Sequence, residues 1–157
     1  MNSKEKSSKQ SDSRSVEAIR TWLRLLSCEA VIEQRLRTLF RSNFAVTLPQ
    51  FDVLSELERA DQPLSMSELS KELMVSNGNV TGVVDRLENQ GLVKRVRAEH
   101  DRRIQYIELT TSGRKEFNRM ASRHRDWLDQ IFSDLSVGDM NRLQRLLLKA
   151  RESASAE

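Results

Sequence analysis

Cysteine is almost absent from this sequence of 157 residues, which contains only Cys28. A single thiol excludes an internal disulfide framework and any metal site built from several cysteines, and it suits a reducing compartment such as the cytosol. No apolar run approaches the roughly 18–20 residues of a membrane span. The N-terminal segment has Lys and Ser but no apolar core, unlike a signal peptide. We expect residues 1–14 to form a disordered basic leader.

Glycine and proline are also scarce, with five and two residues respectively. Because these residues interrupt helices, their scarcity predicts long helices, and each one marks a boundary. Apolar residues make up 38% of the chain and charged residues 31%, with 26 basic and 23 acidic side chains. The net charge of +3 permits a polyanionic partner such as nucleic acid but does not require one. This composition predicts a soluble, mainly α (α+β) protein with one domain and an elaboration used for assembly.

The first part of the chain has the pattern of four helices. Residues 16–44 contain no Gly or Pro and have two apolar flanks, so this helix should contact more than one neighbour. A second helix has Pro49 in its first turn. Residues 65–68 have the spacing of a capping box for a short third helix. Ser76 caps the fourth helix, and Gly91 stops it in a left-handed conformation.

The pattern then changes to two strands followed by two helices. Residues 92–97 and 104–109 are predicted strands, and the charged stretch 98–103 has the length of a hairpin tip. Thr110 starts a long helix, and Ser136 caps a final one. An apolar stripe with coiled-coil-like spacing follows the long helix: Phe117, Ala121, His124, Leu128, Ile131 and Leu135. The final helix is expected to turn four residues inward: Met140, Leu143, Leu147 and Ala150.

Helix, turn, helix and a two-stranded ribbon with a basic tip form a winged helix-turn-helix, an arrangement that reads DNA. The helix that starts near Ser76 would lie in the major groove with its first turn toward the base edges. Asn77 and Asn79 can pair with adenine, Thr81 offers a hydroxyl or a methyl group, and the glycines between them allow close approach. Arg86 is placed to reach the DNA backbone or an acidic neighbour.

The ribbon supplies most of the positive charge of this unit. Residues 94–103 contain five basic and two acidic side chains, a net charge of +3. Arginine is favoured where a narrow minor groove concentrates negative potential. The carboxylate of Asp101 would hold the guanidinium of Arg103 in position for such a groove.

Two blocks of the sequence resemble the MarR family of bacterial transcription regulators. The first is VSNGNVTGVVDRLE at residues 75–88, followed by GLV at 91–93, and it is similar to the family's recognition helix. The second is DRR at residues 101–103, with Leu109-Thr110 and Gly113 downstream, and it resembles the family's wing signature. The resemblance extends in element order over most of the chain.

This resemblance implies a homodimer whose first and last two helices entwine, so that two winged modules read a pseudopalindromic operator. It divides the chain into a DNA-binding domain at 47–110 and a helical dimerisation region at 15–46 and 111–157. Such a regulator, most simply a repressor, would be bacterial and cytoplasmic, and associated with the nucleoid when bound to DNA.

The resemblance also gives roles to single residues. Arg103 would be the finger in the minor groove and Asp101 its orienting partner, while Asn77, Asn79 and Thr81 would read the major groove. The full set expected to contact DNA is Ser76, Asn77, Asn79, Thr81, Arg86, Arg97, Asp101, Arg102 and Arg103. Asn77 and the following glycine stand where many members have Pro and Ser, so the base preference of those members is not carried over.

A small-molecule effector is a further implication. The segments 48–54 and 73–82 are similar to members that repress hydroxycinnamate or other aromatic-acid catabolism and respond to an acyl-CoA thioester, which is therefore a candidate effector. Charged and aromatic side chains of the helical region would hold it: Trp22, Arg35, Arg37, Arg41, Phe44, Phe51, His124 and Trp127.

Two alternatives stay open at this point. Cys28 could be a peroxide-sensing thiol, or a small buried residue of the first helix. The protein could also be an architectural DNA-binding protein that responds to no ligand. An enzyme is not expected, because no nucleophile–base arrangement or Gly-rich phosphate loop occurs. With His100 and His124 as the only histidines, no metal or other cofactor is expected.

Overall fold

The computed structural model describes residues 3–60, 62–74, 76–97 and 104–156, and for residues 3–12 and Asn77 it describes the backbone alone. Its elements in chain order are α1 (Ser3–Asn43), α2 (Leu48–Ala60), β1 (Leu64–Ser65), α3 (Met66–Glu72), α4 (Asn77–Asn89), β2 (Val93–Arg97), β3 (Gln105–Leu109), α5 (Thr111–Ile131) and α6 (Val137–Ser155). The mainly α fold with a small sheet is thus confirmed. In the described part of the chain, no helix combines the length and the apolar character needed to cross a membrane.

α1 is longer than the sequence predicts. It begins at Ser3, so the expectation of a disordered leader is wrong for residues 3–14. No Gly or Pro occurs between Ser3 and Asn43, and extending an existing helix is much more favourable than starting a new one. The helix that forms over the apolar residues therefore extends toward the N-terminus through residues that are rich in Lys and Ser.

Local sequence signals set the helix boundaries as predicted. Oγ of Ser65 accepts a hydrogen bond from the N–H of Glu68 at 3.2 Å, and the Glu68 carboxylate accepts one from the N–H of Ser65 at 2.7 Å. This is a complete capping box at the start of α3. Ser136 and Asp139 form the same arrangement at the start of α6. Gly91 follows α4 with φ of 71°, a conformation that glycine adopts without strain.

The three strands form an antiparallel sheet in the order β1-β3-β2. The hairpin of β2 and β3 pairs Val93 with Leu109 at its base. β1 pairs with the other edge of β3, where Leu64 lies opposite Ile107. The sequence does not predict β1, because a strand of two residues has no alternation to detect.

The core lies where helices α1 to α5 meet the sheet. Its largest fully buried side chains are Phe40, Leu54, Leu69, Leu87, Ile107 and Met120. α5 contributes Met120 and Trp127, which are 0% and 4% exposed. They lie seven residues, or about two turns, apart. The stripe predicted for this helix lies beside them and is only half-buried, with its last member, Leu135, exposed.

α6 contributes no buried side chain to the single chain. Met140 is half-buried and Leu143, Leu147 and Ala150 are exposed, so the inward orientation expected for them is wrong within one chain. α6 follows α5 at the edge of the molecule and contacts too little of the core to bury them. The large apolar side chains exposed on α1 and α6 are Val16, Ile19, Trp22, Leu23, Leu25, Leu26, Val31, Val137, Leu143, Leu146, Leu147 and Leu148.

Candidate nucleic-acid interface

α4 presents different faces to its surroundings, because successive side chains on a helix are rotated by about 100°. The inner face consists of Val80, Val84 and Leu87, which are at most 1% exposed. The opposite, outer face carries Gly78 and Gly82, one turn apart. Among the described residues, and apart from the backbone of α4 itself, a Cβ atom added to either glycine would meet no other atom within 4 Å. The outer face is therefore smooth and open, which suits close approach to base edges.

The residues predicted to read DNA lie at the start of this helix. Ser76 occupies the N-cap position, as predicted, but its side chain makes no capping hydrogen bond. Asn79 and Thr81 are exposed on the two sides of the outer face. Asn77 is the first residue of α4, and its side chain lies outside the described part of the chain, so its contact with a base stays a prediction.

One flank of α4 lines a cleft against α1 and α2. Asn79 and Arg86 of α4 share this cleft, of about 540 Å³, with Arg37 of α1 and Asp52 of α2. Apolar side chains complete the wall: Val53, Leu73 and Val83. Arg86 is exposed, and it lies on the side of α4 that faces the cleft.

Asp52 is the acidic group of the cleft. Desolvation raises the pKa of Asp52 from 3.8 to about 6, the Arg37 guanidinium opposes this rise, and the carboxylates of Glu33 and Glu56 add to it. A fraction of the molecules therefore carries a neutral Asp52 at pH values just below neutrality. The sequence alone does not reveal this residue, because desolvation is the main cause of the rise and depends on how α2 packs against the rest of the chain.

The other flank of α4 is held to the hairpin by Arg95 of β2. Its guanidinium forms ion pairs with Asp85 and Glu88, which are three residues apart on α4. Lys94 pairs with Glu108 of β3, with Nζ and Oε1 2.6 Å apart. Lys94 and Arg95 are therefore bound to carboxylates of the same chain. The net charge of the ribbon overstates the number of its cations that are available to DNA phosphates.

Arg97 is exposed at the end of β2 that leads to the hairpin tip. It lies two residues beyond Arg95 and so on the same side of the strand. Among the residues that the structure describes, no carboxylate pairs with it. Asp101, Arg102 and Arg103 lie outside the described residues, so the minor-groove finger and its orienting partner stay predictions.

Hydrogen bonds of Thr110 close the base of the hairpin. The Thr110 hydroxyl donates to the carbonyl of Gly91 at 2.7 Å and accepts from the N–H of Gly113 at 2.9 Å. The N–H of Thr110 donates to the carbonyl of Leu92 at 3.1 Å. The Leu-Thr pair and the glycine of the wing signature thus fix the start of α5 against the end of α4.

A pair of glutamines ties the end of α4 to the connection between α1 and α2. Nε2 of Gln50 donates to Oε1 of Gln90 at 3.0 Å, and Nε2 of Gln90 donates to the carbonyl of Ala45, also at 3.0 Å. Oε1 of Gln50 accepts from the N–H and from the hydroxyl of Thr47. Gln50 is only 3% exposed. Nothing in the sequence pairs these two glutamines, because they are forty residues apart.

Four of the residues predicted to hold an effector lie together. Phe44, Phe51, His124 and Trp127 surround the buried ring of Phe40, with ring centroids 4.8–5.9 Å from its own. Burial lowers the pKa of His124, so its imidazole is neutral at neutral pH. These rings pack against one another and form part of the core.

The other four predicted effector residues are spread along α1. Trp22 is 58% exposed, and Arg41 is exposed near the end of the helix. Arg37 pairs with Glu33 at 2.6 Å and lines the cleft, whereas Arg35 lines grooves on another face of α1. The structure does not bring the three arginines into one site.

Cys28 is exposed in the single chain, so the alternative that it is a small buried residue is wrong within one chain. Its side chain lines an apolar groove between α1 and the end of α5, with Leu23, Ile32 and Phe132. Within the described ranges, no three His, Cys, Asp or Glu side chains are grouped as a metal site requires.

Comparison with known proteins identifies the family of this chain and its class of function. The model of the MarR family matches residues 46–104. The chain is 33% identical over 119 residues to the HTH-type transcriptional regulator PecS of Dickeya dadantii, covering 74% of this chain and 71% of PecS. It is 30% identical over 135 residues to the transcriptional activatory protein BadR of Rhodopseudomonas palustris, covering 84% and 77% of the two chains.

A solved structure supports the same assignment. The crystal structure of a mutant MarR from E. coli complexed with operator DNA superimposes with a TM-score of 0.76 at 26% identity, over 85% of this chain and 95% of that one. The match extends beyond the residues of the family model, so it includes the long helices on either side. The chain belongs to the MarR family and is a DNA-binding transcription regulator, not an enzyme.

Proposed function

We propose that this regulator functions as a homodimer formed through α1 and α6. The observation that carries the proposal is the apolar surface that one chain leaves uncovered. α6 buries no side chain, and Trp22 of α1 and Leu146 of α6 are 58% and 60% exposed. Such a surface is unfavourable in water and marks an interface. A groove of about 930 Å³ lies between α1 and the C-terminal helices, and side chains of a second copy would fill it.

Each protomer of this dimer would place α4 in the major groove of one half-site. The outer face with Gly78 and Gly82 lets the helix backbone approach the base edges, and Asn79 and Thr81 offer an amide and a hydroxyl beside it. Arg97 leads along the hairpin toward the adjacent minor groove. Two copies related by a twofold axis would read a pseudopalindrome with half-sites about 34–36 Å apart.

In this proposal a small organic acid binds in the cleft and lowers operator affinity, so that the protein is a repressor released by its effector. Arg86 can hold a carboxylate, as can Arg37 if the ligand replaces Glu33 as its partner, and the apolar wall suits the hydrocarbon part of the ligand. A volume of about 540 Å³ is in the range of small-molecule sites. Because Asn79 and Gly82 line the cleft, a ligand that favours another position of α4 shifts the equilibrium away from the DNA-bound form.

An acyl-CoA thioester is not part of this proposal, because Arg35, Arg37 and Arg41 do not converge on one place for its phosphates. Thiol sensing is not part of it either, since the groove that contains Cys28 is one that a second copy would cover. Both ideas are nevertheless checked by the compounds in the assay below.

The dimer is tested by light scattering during size exclusion. The wild type should elute with twice the mass of 18.2 kDa, and Leu146→Glu should shift it toward the monomer, because a carboxylate would enter the apolar interface. Met74→Glu is the matched control, because Met74 is 87% exposed and lies on the turn before α4, away from this interface. A monomeric wild type at micromolar concentration would contradict the homodimer.

Regulation is tested by gel shift on the DNA upstream of the protein's own coding sequence. The panel contains aromatic acids, their acyl-CoA thioesters and peroxide, each with wild type and Arg37→Met. We expect one or more free acids to release the DNA from the wild type, and Arg37→Met to bind DNA but respond more weakly. Release by the thioesters or peroxide alone, or by no compound, would refute the cleft as the effector site.

A further inference from the structure

We propose that Gln50 and Gln90 are positioning residues that fix the recognition helix α4 relative to the dimerisation helices. They thereby set the spacing between the two half-sites that the protein accepts. The inference rests on the homodimer proposed above, because half-site spacing has meaning only when two copies of α4 are held together.

The contacts form an unbroken series from the end of α1 to the end of α4. The carbonyl of Ala45, two residues after α1, accepts from Gln90, and Gln90 accepts from Gln50. Gln50 in turn accepts from Thr47 at the start of α2. Each amide therefore uses both its oxygen and its nitrogen, and the pair joins the dimerisation helix to the residue that follows α4.

These bonds supply what apolar packing cannot. The inner face of α4 is held by Val80, Val84 and Leu87, and burial of apolar surface is not directional. Such a face tolerates a small rotation or slide of the helix. Hydrogen bonds lose strength steeply when their length or angle changes, and Gln50 has little access to water that could replace a lost partner. Arg95 ties α4 to the hairpin, and the two amides thus select one position of α4 relative to α1 and α2.

The hydrogen-bonded pair of Gln50 and Gln90, here called the Gln50–Gln90 joint, lies at one end of α4. The DNA-reading residues lie at the other end. At the C-terminal end, Gln90 bonds to Ala45 and the Gly91 carbonyl accepts from Thr110. At the N-terminal end, the Ser76 side chain makes no capping bond. Gly78 and Gln90 are separated by about 18 Å of helix. A rotation of a few degrees at Gln90 therefore moves the reading end by an ångström or more.

Operator spacing follows from this geometry. In a dimer the distance between the two reading ends must match successive major grooves, about 34–36 Å apart. If the Gln50–Gln90 joint is loosened, α4 can take several positions, and the dimer should accept half-sites separated by different numbers of base pairs. The bases read within each half-site should not change, because neither glutamine lies at the start of α4.

The experiment is a selection of bound duplexes from a library with about 30 randomised base pairs, roughly three helical turns. Full-length wild type, Gln90→Met, Gln90→Glu, Gln50→Met and the control Gln62→Met are compared. Gln62 is exposed in the connection between α2 and β1, so its substitution makes the same chemical change away from the joint. Gln90 is also exposed, so its variants should fold even if Gln50→Met does not.

We expect wild type and Gln62→Met to enrich one half-site spacing. Gln90→Met and Gln50→Met should enrich the same half-site with several spacings. Gln90→Glu keeps the acceptor for Gln50 but loses the donor to Ala45, so it should also relax the spacing. For the wild type, the affinity ratio between the preferred spacing and one base pair more should be roughly tenfold or higher. For the Gln90 variants it should fall toward one.

The inference is overturned if folded, dimeric Gln90 variants recover the single wild-type spacing, or if they change the half-site sequence and keep the spacing. Selection of isolated half-sites by the wild type would instead refute the homodimer itself. Light scattering on the same samples separates these two failures.

Discussion

The carbonyl oxygen of Leu92 lies 1.8 Å from the position that a Cβ atom would occupy on Gly113. No side chain fits there, because that separation is shorter than any non-bonded contact. The first turn of α5 therefore rests directly on the backbone at the base of the hairpin. There the Thr110 hydroxyl bonds both to Gly91, just before the hairpin, and to Gly113 of α5.

Gly113→Ala should lower the free energy of unfolding by about 3 kcal/mol, because the methyl group forces α5 and the hairpin apart. Urea denaturation measures the change. Gly138→Ala is the matched control, since Gly138 also lies in the first turn of a helix and its added Cβ would meet its nearest neighbour at an ordinary 3.7 Å. Equal stabilities of the two variants would show that the close approach is absent in solution.

Gly82→Ala should separate folding from DNA binding. The open space around Gly82 accommodates a methyl group, and replacing a helical glycine by alanine should stabilise the fold by about 1 kcal/mol. In the major groove the same methyl group keeps the helix from the base edges, so operator affinity should fall roughly tenfold. Thermal unfolding and fluorescence anisotropy with labelled operator measure the two effects. If the variant is more stable but binds the operator as tightly as the wild type, the outer face of α4 is not part of the DNA interface.

Arg95→Met should weaken operator binding by about tenfold, because Asp85 and Glu88 would then face the DNA phosphates without a compensating charge. Neutralising both acids in the Arg95→Met background should restore much of the affinity. Arg59→Met is the control, since Arg59 also bridges two carboxylates, of Glu56 and Glu72, but on α2 and α3. Titrations at several salt concentrations measure the change. If the control loses as much affinity, Arg95 has no special relation to DNA.

Asp52→Asn should stabilise the protein at about pH 8 and have little effect near pH 4. The folded-state pKa of Asp52, about 6, lies above its ordinary value of 3.8, so the folded protein binds this proton more tightly than the unfolded chain. The resulting stabilisation is present below about pH 4 and is lost as the pH rises through 6. Since the residue is partly exposed to water, we expect a gain of only about 1 kcal/mol at pH 8. Urea denaturation at a series of pH values tests this, and a pH-independent difference would contradict it.

The features that the sequence predicts are those that act over a few residues. A capping box needs only Ser65 and Glu68 at the right spacing, and the turn after α4 needs only Gly91 in a left-handed conformation. Because such signals mark most helix ends, the order of elements and the winged helix were predictable. The strand β1 was not, because Leu64 and Ser65 become a strand only through pairing with β3.

The features that depend on partners distant in sequence were not predictable. In the sequence Arg95 and Arg97 are equivalent, because both are arginines of the same predicted strand. In the structure only Arg95 forms ion pairs with two carboxylates of α4. Met74 adopts φ of 54° in the turn before α4. Ser76 marks the end of this turn in the sequence, but the left-handed conformation of Met74 was not predictable, because glycine is the usual residue there. The apolar residues of α6 follow a helical period that indicates a buried face, yet within the single chain α6 buries no side chain.

The Thr110 bonds at the base of the hairpin have a consequence for how this regulator can diversify. The Thr110 bonds fix the start of β2 next to the end of β3. Residues could therefore be inserted into or deleted from 98–103 without displacing α4 or α5. Doubling the length of a loop costs only about 0.6 kcal/mol of closure entropy. The reach of the hairpin can therefore be re-engineered, or can drift during evolution, without disturbing the apolar surfaces of α1 and α6.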